Sequence, residues 1–156
     1  MNAVAPPDDR PDDLVERIAI HEAGHAVISH ALGVGPVMAI SIVQEGTAGG
    51  YVMSERGERS PRRKDIEHAV IQTLAGRAAE PAILGDFSMG FAGSDRSDLA
   101  RATRLIGTLH LNGMGEHFHH QGSPDEVHQV LLMKPAIAAA VDAEMRQLYA
   151  DATQAA

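Results

Sequence analysis

Apolar positions recur at three- and four-residue intervals from Leu14 through Val15, Ile18, Ala19, Ala23, Ala26, Val27 and Ala31. That period predicts a helix with these residues as its core-facing stripe. Pro11-Asp12-Asp13 opens it, with acids suited to the positive end of the helix dipole, and Gly33 and Gly35-Pro36 stop it. The period then changes. Val37 to Val43, rich in β-branched residues, predicts a strand, Gln44 to Gly50 a turn, and Tyr51-Val52-Met53 a second short strand. After a charged loop from Ser54 to Ser60, Ser60-Pro61 predicts the cap and first position of a second helix. Its inward stripe is Ile66, Ala69, Val70, Thr73, Leu74 and Ala78, and it runs towards Gly85 past Pro81, a residue type that kinks helices.

Phe87 to Gly93 predicts a glycine-containing loop. Ser94 or Ser97 caps a third helix, with Leu99, Ala102, Thr103, Ile106 and Leu109 inward and an end near Asn112-Gly113. Ser123-Pro124-Asp125-Glu126 opens a fourth helix, interrupted at Lys134-Pro135 and continuing to about Ala152. The expected architecture is a mainly α single domain over residues 11–153 with one small β-sheet or hairpin. A flexible acidic leader is expected over residues 1–10.

Composition narrows the functional classes. A chain of 156 residues buries a real core. With aromatics at 3 % and no Trp, aliphatic side chains and Met must fill it. The net charge of -8 argues against a nucleic-acid surface, which needs a basic excess to displace counterions. The absence of cysteine excludes disulfides and thiolate metal ligands, and it suits a reducing cytoplasm, the expected location. Met1 to Asp9 lacks the basic start and apolar run of a signal peptide, and no apolar stretch reaches membrane-spanning length.

The candidate chemistry lies in the first helix, at His21-Glu22-Ala23-Gly24-His25. Residues four apart share a helix face, so both imidazoles can reach one metal ion, with Glu22 beside it as a base for bound water. The bland alternative, a buried helix that merely carries two histidines, leaves two rings and a carboxylate in need of other partners. A third protein ligand is required, and several acids compete. Glu45 stands where a thermolysin-like site takes its glutamate, but in a strand-to-turn segment. A metzincin extension needs Gly and His where Ile28 and Ala31 stand. Glu80 can turn inward from an apolar helix, and Asp95 and Asp98 can point into a cleft from the start of the third helix. Capping and dipole compensation explain those two aspartates equally well.

These residues resemble the peptidase domain of the FtsH-type ATP-dependent zinc metalloproteases, through segments in the same order. Ala19 to Ala26 looks like the family's metal-binding helix, and Gly50-Tyr51-Val52 like its glycine-aromatic strand. Leu74-Ala75-Gly76-Arg77-Ala78-Ala79-Glu80 is similar to its second-helix signature. Ser97 to Thr103 resembles the segment bearing the third ligand, and Asn112-Gly113-Met114-Gly115-Glu116 its glycine-methionine turn.

The resemblance implies one Zn2+ per chain held by His21, His25 and Asp98, with Glu22 as general base. Glu80 is then a neighbouring acid that orients a ligand by hydrogen bonding, and Asp95 a second choice for the third ligand. The implied function is a zinc metalloendopeptidase acting on peptides or unfolded chains. No Gly-rich Lys-Ser/Thr phosphate loop occurs in these residues, so the expectation is a peptidase without its own ATPase, with an unfoldase or adaptor as a partner in trans. A homo-oligomer is compatible with the resemblance, but nothing in the sequence specifies a ring. The alternative is a non-catalytic metal-binding adaptor or regulator on the same fold. His117, His119 and His120 read as solvated loop residues, His110 as a core-edge residue, and Arg62-Arg63-Lys64 as a solvated helix start.

Overall fold

The computed structural model describes residues 8–43, 49–54 and 61–155. Five helices surround one another, with a two-stranded hairpin at one side. Helix α1 spans Asp12–Leu32 and ends at Gly33, whose left-handed backbone (φ 61°) closes the last turn, as its sequence position predicts. Strand β1, Val37–Ser41, pairs antiparallel with β2, Tyr51–Ser54, placing Ile40 opposite Val52 and Ser41 opposite Tyr51. The first strand stops short of the expected Val43, because the Ser41 hydroxyl accepts the Val43 N–H at 3.1 Å and turns the chain. Most of the expected leader, the turn between the strands with Glu45, and the loop from Glu55 to Ser60 lie outside the described residues. Arg10, at the end of the leader, donates to the Gly49 carbonyl at 2.8 Å and to the Ile42 carbonyl, tying the entry of α1 to the hairpin.

Helix α2, Arg63–Leu84, is the centre of the molecule. It packs against α1, against α3 (Asp98–Leu111) and against α5 (Pro135–Ala155). From Ala69 to Glu80 only Arg77 escapes full burial, as expected of a helix covered on all sides. Its N-cap is Arg62, not Ser60: the Asp65 carboxylate accepts the Arg62 backbone N–H at 2.9 Å. Pro81 is carried inside the helix, which ends at the left-handed Gly85. The core gathers Ile28, Val70, Leu74, Ile106, Leu109 and Val141. A 3-10 turn at Pro124–Glu126 leads into α4, Val127–Met133, and Pro135 then starts α5 at a position where a missing N–H costs nothing.

The predicted stripe of α1 is where the structure departs most from the apolar pattern. Leu14, Ala23, Val27 and Ala31 are exposed, Val27 at 58 %. The buried face carries Glu22, Gly24, His25, Ala26, Ile28 and Ser29. The reason is steric. A Cβ on Gly24 would sit 2.7 Å from the Ala75 carbonyl oxygen and 2.8 Å from the Ala79 Cβ, so α2 reaches α1 only on the face that lacks a side chain. Leu99, expected inward on α3, is likewise 37 % exposed.

Gly24→Ala should therefore destabilise the fold. Overpacking against a backbone carbonyl costs about 1–3 kcal/mol, which outweighs the roughly 1 kcal/mol that Ala gains over Gly in a helix. A lower denaturant midpoint is expected; an unchanged or higher one would show that the helices part easily.

Candidate metal centre

His21 and His25 leave α1 one turn apart and lean across α2, ring centroids 4.7 Å apart and nearly perpendicular. Each ring is fixed from behind. His25 donates its Nδ1–H to the Gln72 carbonyl at 2.8 Å, and His21 donates its Nδ1–H to Glu80 Oε1 at 2.8 Å. A carbonyl and an ionised carboxylate can only accept, so both Nδ1 atoms carry the hydrogen, and in the neutral ring each Nε2 presents a lone pair. Those lone pairs face one oxygen: Asp98 Oδ2 lies 3.0 Å from His21 Nε2 and 3.2 Å from His25 Nε2. Asp98 is the first residue of α3, delivered there by Ser97, whose hydroxyl caps the helix by accepting the Ala100 N–H.

The donor set fits a divalent cation. With both rings neutral, three lone-pair atoms converge here, a repulsion that a bound metal relieves. Tetrahedral bonds of roughly 2.0–2.2 Å place ligand atoms a little over 3 Å apart, about the separations seen from Asp98 to each ring. The backbone is also cut away at this point. A Cβ on Gly76 would stand 2.5 Å from His21 Nε2 and 2.6 Å from His25 Nε2. Among the described residues, His21, His25 and Asp98 are the one group of His, Asp and Glu side chains whose ligand atoms gather this way.

The other candidates are placed elsewhere. Glu80, 1 % exposed, stands behind His21, accepting also from the Ser88 N–H at 2.7 Å and from Arg17 at 3.0 Å. Asp95 is exposed and outside the cluster. His117, His119 and His120 are exposed, with His120 Nδ1 bound to the Asn112 side chain at 3.0 Å. His110 is buried at the α3–α5 contact, its Nε2 2.9 Å from Glu144, which also pairs with Arg63.

Glu22 is buried beside the cluster, against the hairpin: a Cβ on Gly50 would lie 2.9 Å from Glu22 Cγ. Burial raises its carboxyl above the ordinary range, with Asp98 adding to the rise and His25 and His21 opposing it. Burial also pushes Asp98 up, but hydrogen bonds from the His21 and His25 rings, when these are protonated at Nε2, win and hold it well below the usual carboxylate range. Glu80 is lowered in the same way, burial being outweighed by Ser88, His21 and Arg17. A cleft of about 840 Å³ opens over these groups, walled by Gly50, Tyr51 and Val52 on one side and by Ser88, Gly90 and Ser97 on the other.

Sequence reasoning missed Gln72, which acts through its backbone, and Arg17, whose role depends on a partner 63 positions away. Gly76 was visible inside a recognised segment, but no local pattern says that it underlies two imidazole tips.

The family model described as Peptidase family M41 matches residues 12–156. The chain is 32 % identical over 144 residues to the ATP-dependent zinc metalloprotease FtsH 2 of Symbiobacterium thermophilum, covering 89 % of this chain and 24 % of that protein. It is 38 % identical over 106 residues to FtsH 2 of Sphaerobacter thermophilus, covering 65 % and 16 %. With FtsH 1 of Sorangium cellulosum it shares 42 % identity over 94 residues, covering 58 % and 14 %. The chain thus spans a quarter or less of the length of these curated relatives. The family match begins at the first residue of α1 and takes in every element that builds the cleft, and the chain belongs to peptidase family M41.

Proposed function

We propose that this chain is a zinc-dependent endopeptidase in which His21, His25 and Asp98 hold the metal and Glu22 is the general base. The observation that carries this reading is the convergence of the three ligand atoms within 4.8 Å of one another, in a cleft that Glu22 also lines. When bound, zinc supplies Lewis acidity, activating water near neutral pH and polarising a carbonyl. Glu22 takes the proton from the attacking water and passes it to the leaving amine. The Gln72 carbonyl and the Glu80 carboxylate keep the two rings in the tautomer that ligates.

Tyr51 and Val52 line the cleft on β2, a strand paired with β1 along one edge. The other edge has no strand partner among the described residues, and an extended peptide adding there would be bound mainly by its backbone. Peptides and unfolded chains are therefore the proposed substrates, with an unfoldase or adaptor as the partner for folded ones. No described helix is long and apolar enough to cross a membrane.

The test is zinc content together with cleavage of an unfolded protein such as casein. Wild-type chain should bind one zinc and cleave. Glu22→Gln should keep the zinc and lose at least about 10²-fold in kcat, the contribution of a positioned general base. Zinc uptake without cleavage of any peptide or unfolded chain would favour a non-catalytic adaptor.

Gly76→Ala should lower zinc affinity by about tenfold or more, a loss comparable to that from disturbing a ligand's support, while the zinc-free fold is retained. The atoms nearest its added methyl belong to the His21 and His25 rings and not to backbone. Unchanged zinc affinity in this variant would place the metal elsewhere.

A further inference from the structure

Arg17 lies one turn before His21 on α1, on the same face, yet it belongs to no metal-binding motif. Its guanidinium spans two acids. It donates to Glu80 Oε2 at 3.0 Å, to Asp86 Oδ1 at 2.6 Å and to the Asp86 carbonyl at 3.4 Å. Glu80 is the buried carboxylate whose Oε1 receives the His21 Nδ1–H, and its Oε2 receives the Ser88 N–H. Asp86 starts the segment that runs from the end of α2 to Ser97 and delivers Asp98 to the cluster. One side chain therefore holds the acid that sets the His21 ring and the root of the loop that brings in the third ligand.

We propose that Arg17 is a positioning residue for the metal centre, clamping Glu80 against His21 and the root of the 86–97 segment against α1. This rests on the zinc-peptidase reading above. A carboxylate as deeply buried as Glu80 keeps its orientation only while its oxygens have donors. Arg17 and Ser88 supply them on the side away from His21. Without the guanidinium, Oε2 loses its cationic partner and the His21 ring loses a fixed acceptor behind it. The planar fork matters because it reaches Glu80 and Asp86 at once, which an ammonium cannot do with the same geometry.

The experiment compares zinc dissociation constants, by competition with a chelating indicator, for the whole chain as wild type, Arg17→Met and Arg17→Lys. Melting of the zinc-free proteins and kcat and KM on an unfolded substrate complete it. Arg17→Met should weaken zinc binding by about tenfold or more, the scale on which groups behind metal-ligating histidines act. The zinc-free variant should stay folded but melt below wild type, because Glu80 loses its cationic partner, and its loss of activity should fall on kcat. Arg17→Lys keeps a cation beside Glu80 but not the fork, so its zinc affinity should lie between the two. If Arg17→Met does not fold, Arg17→Gln replaces it under the same criteria.

Wild-type zinc uptake with an Arg17→Met affinity within about twofold of wild type, or equal losses in the Met and Lys variants, overturns the positioning role alone. No zinc uptake by the wild-type chain overturns the metal reading itself, and this role with it.

Discussion

The contact between α1 and α2 is the constraint on which the rest of the molecule depends. Gly24 leaves no room for a side chain above the Ala75 carbonyl, and Gly76 leaves none beneath the two imidazoles. Because the helices approach this closely, the histidines find acceptors on α2 itself, at Gln72 and Glu80. That is what makes it possible to bury a polar face. A helix presenting Glu22, His25 and Ser29 to a core without such partners would lose several kcal/mol for each orphaned group. Here the apolar residues Val27 and Ala31 face outward instead.

Three carboxylates share the site and differ only in what surrounds them. Glu80 is saturated with donors, and Asp98 faces two imidazoles, so both stay ionised despite burial. Glu22 has burial and the neighbouring Asp98 charge, only partly offset by His25 and His21, and its carboxyl is raised. Different surroundings thus push apart the proton affinities of neighbouring acids in one pocket. The division follows from position: Glu22 on α1 faces the hairpin, Glu80 on α2 faces Arg17, and Asp98 is the first residue of α3.

Much of the architecture was legible because it is local. Gly33 and Gly85 stop their helices, Ser97 caps α3, and Pro135 restarts the chain after Lys134, each for reasons contained within a few residues. The mainly helical fold with one hairpin follows from those signals. The start of α2 was misread because Asp65 serves as the reciprocal partner of Arg62, which makes a strong cap from a residue type seldom used as one. The stripe of α1 was misread because periodicity measures hydrophobicity, whereas this helix is oriented by a missing side chain.

By itself, the sequence determined the spacing of His21 and His25, the carboxylate between them, and that any metal donors are confined to residue types such as His, Asp and Glu, with no thiolate. Those are properties of helical geometry and residue type, and they hold before any packing occurs. Only the tertiary structure decided which acid meets the two rings. Glu80, Asp95 and Asp98 are all plausible by type. The close seating of α1 on α2 puts Glu80 behind His21, and the turn into α3 brings Asp98 in front of both rings. A choice among acids so far along the chain is made by the packing of helices, which no local pattern encodes.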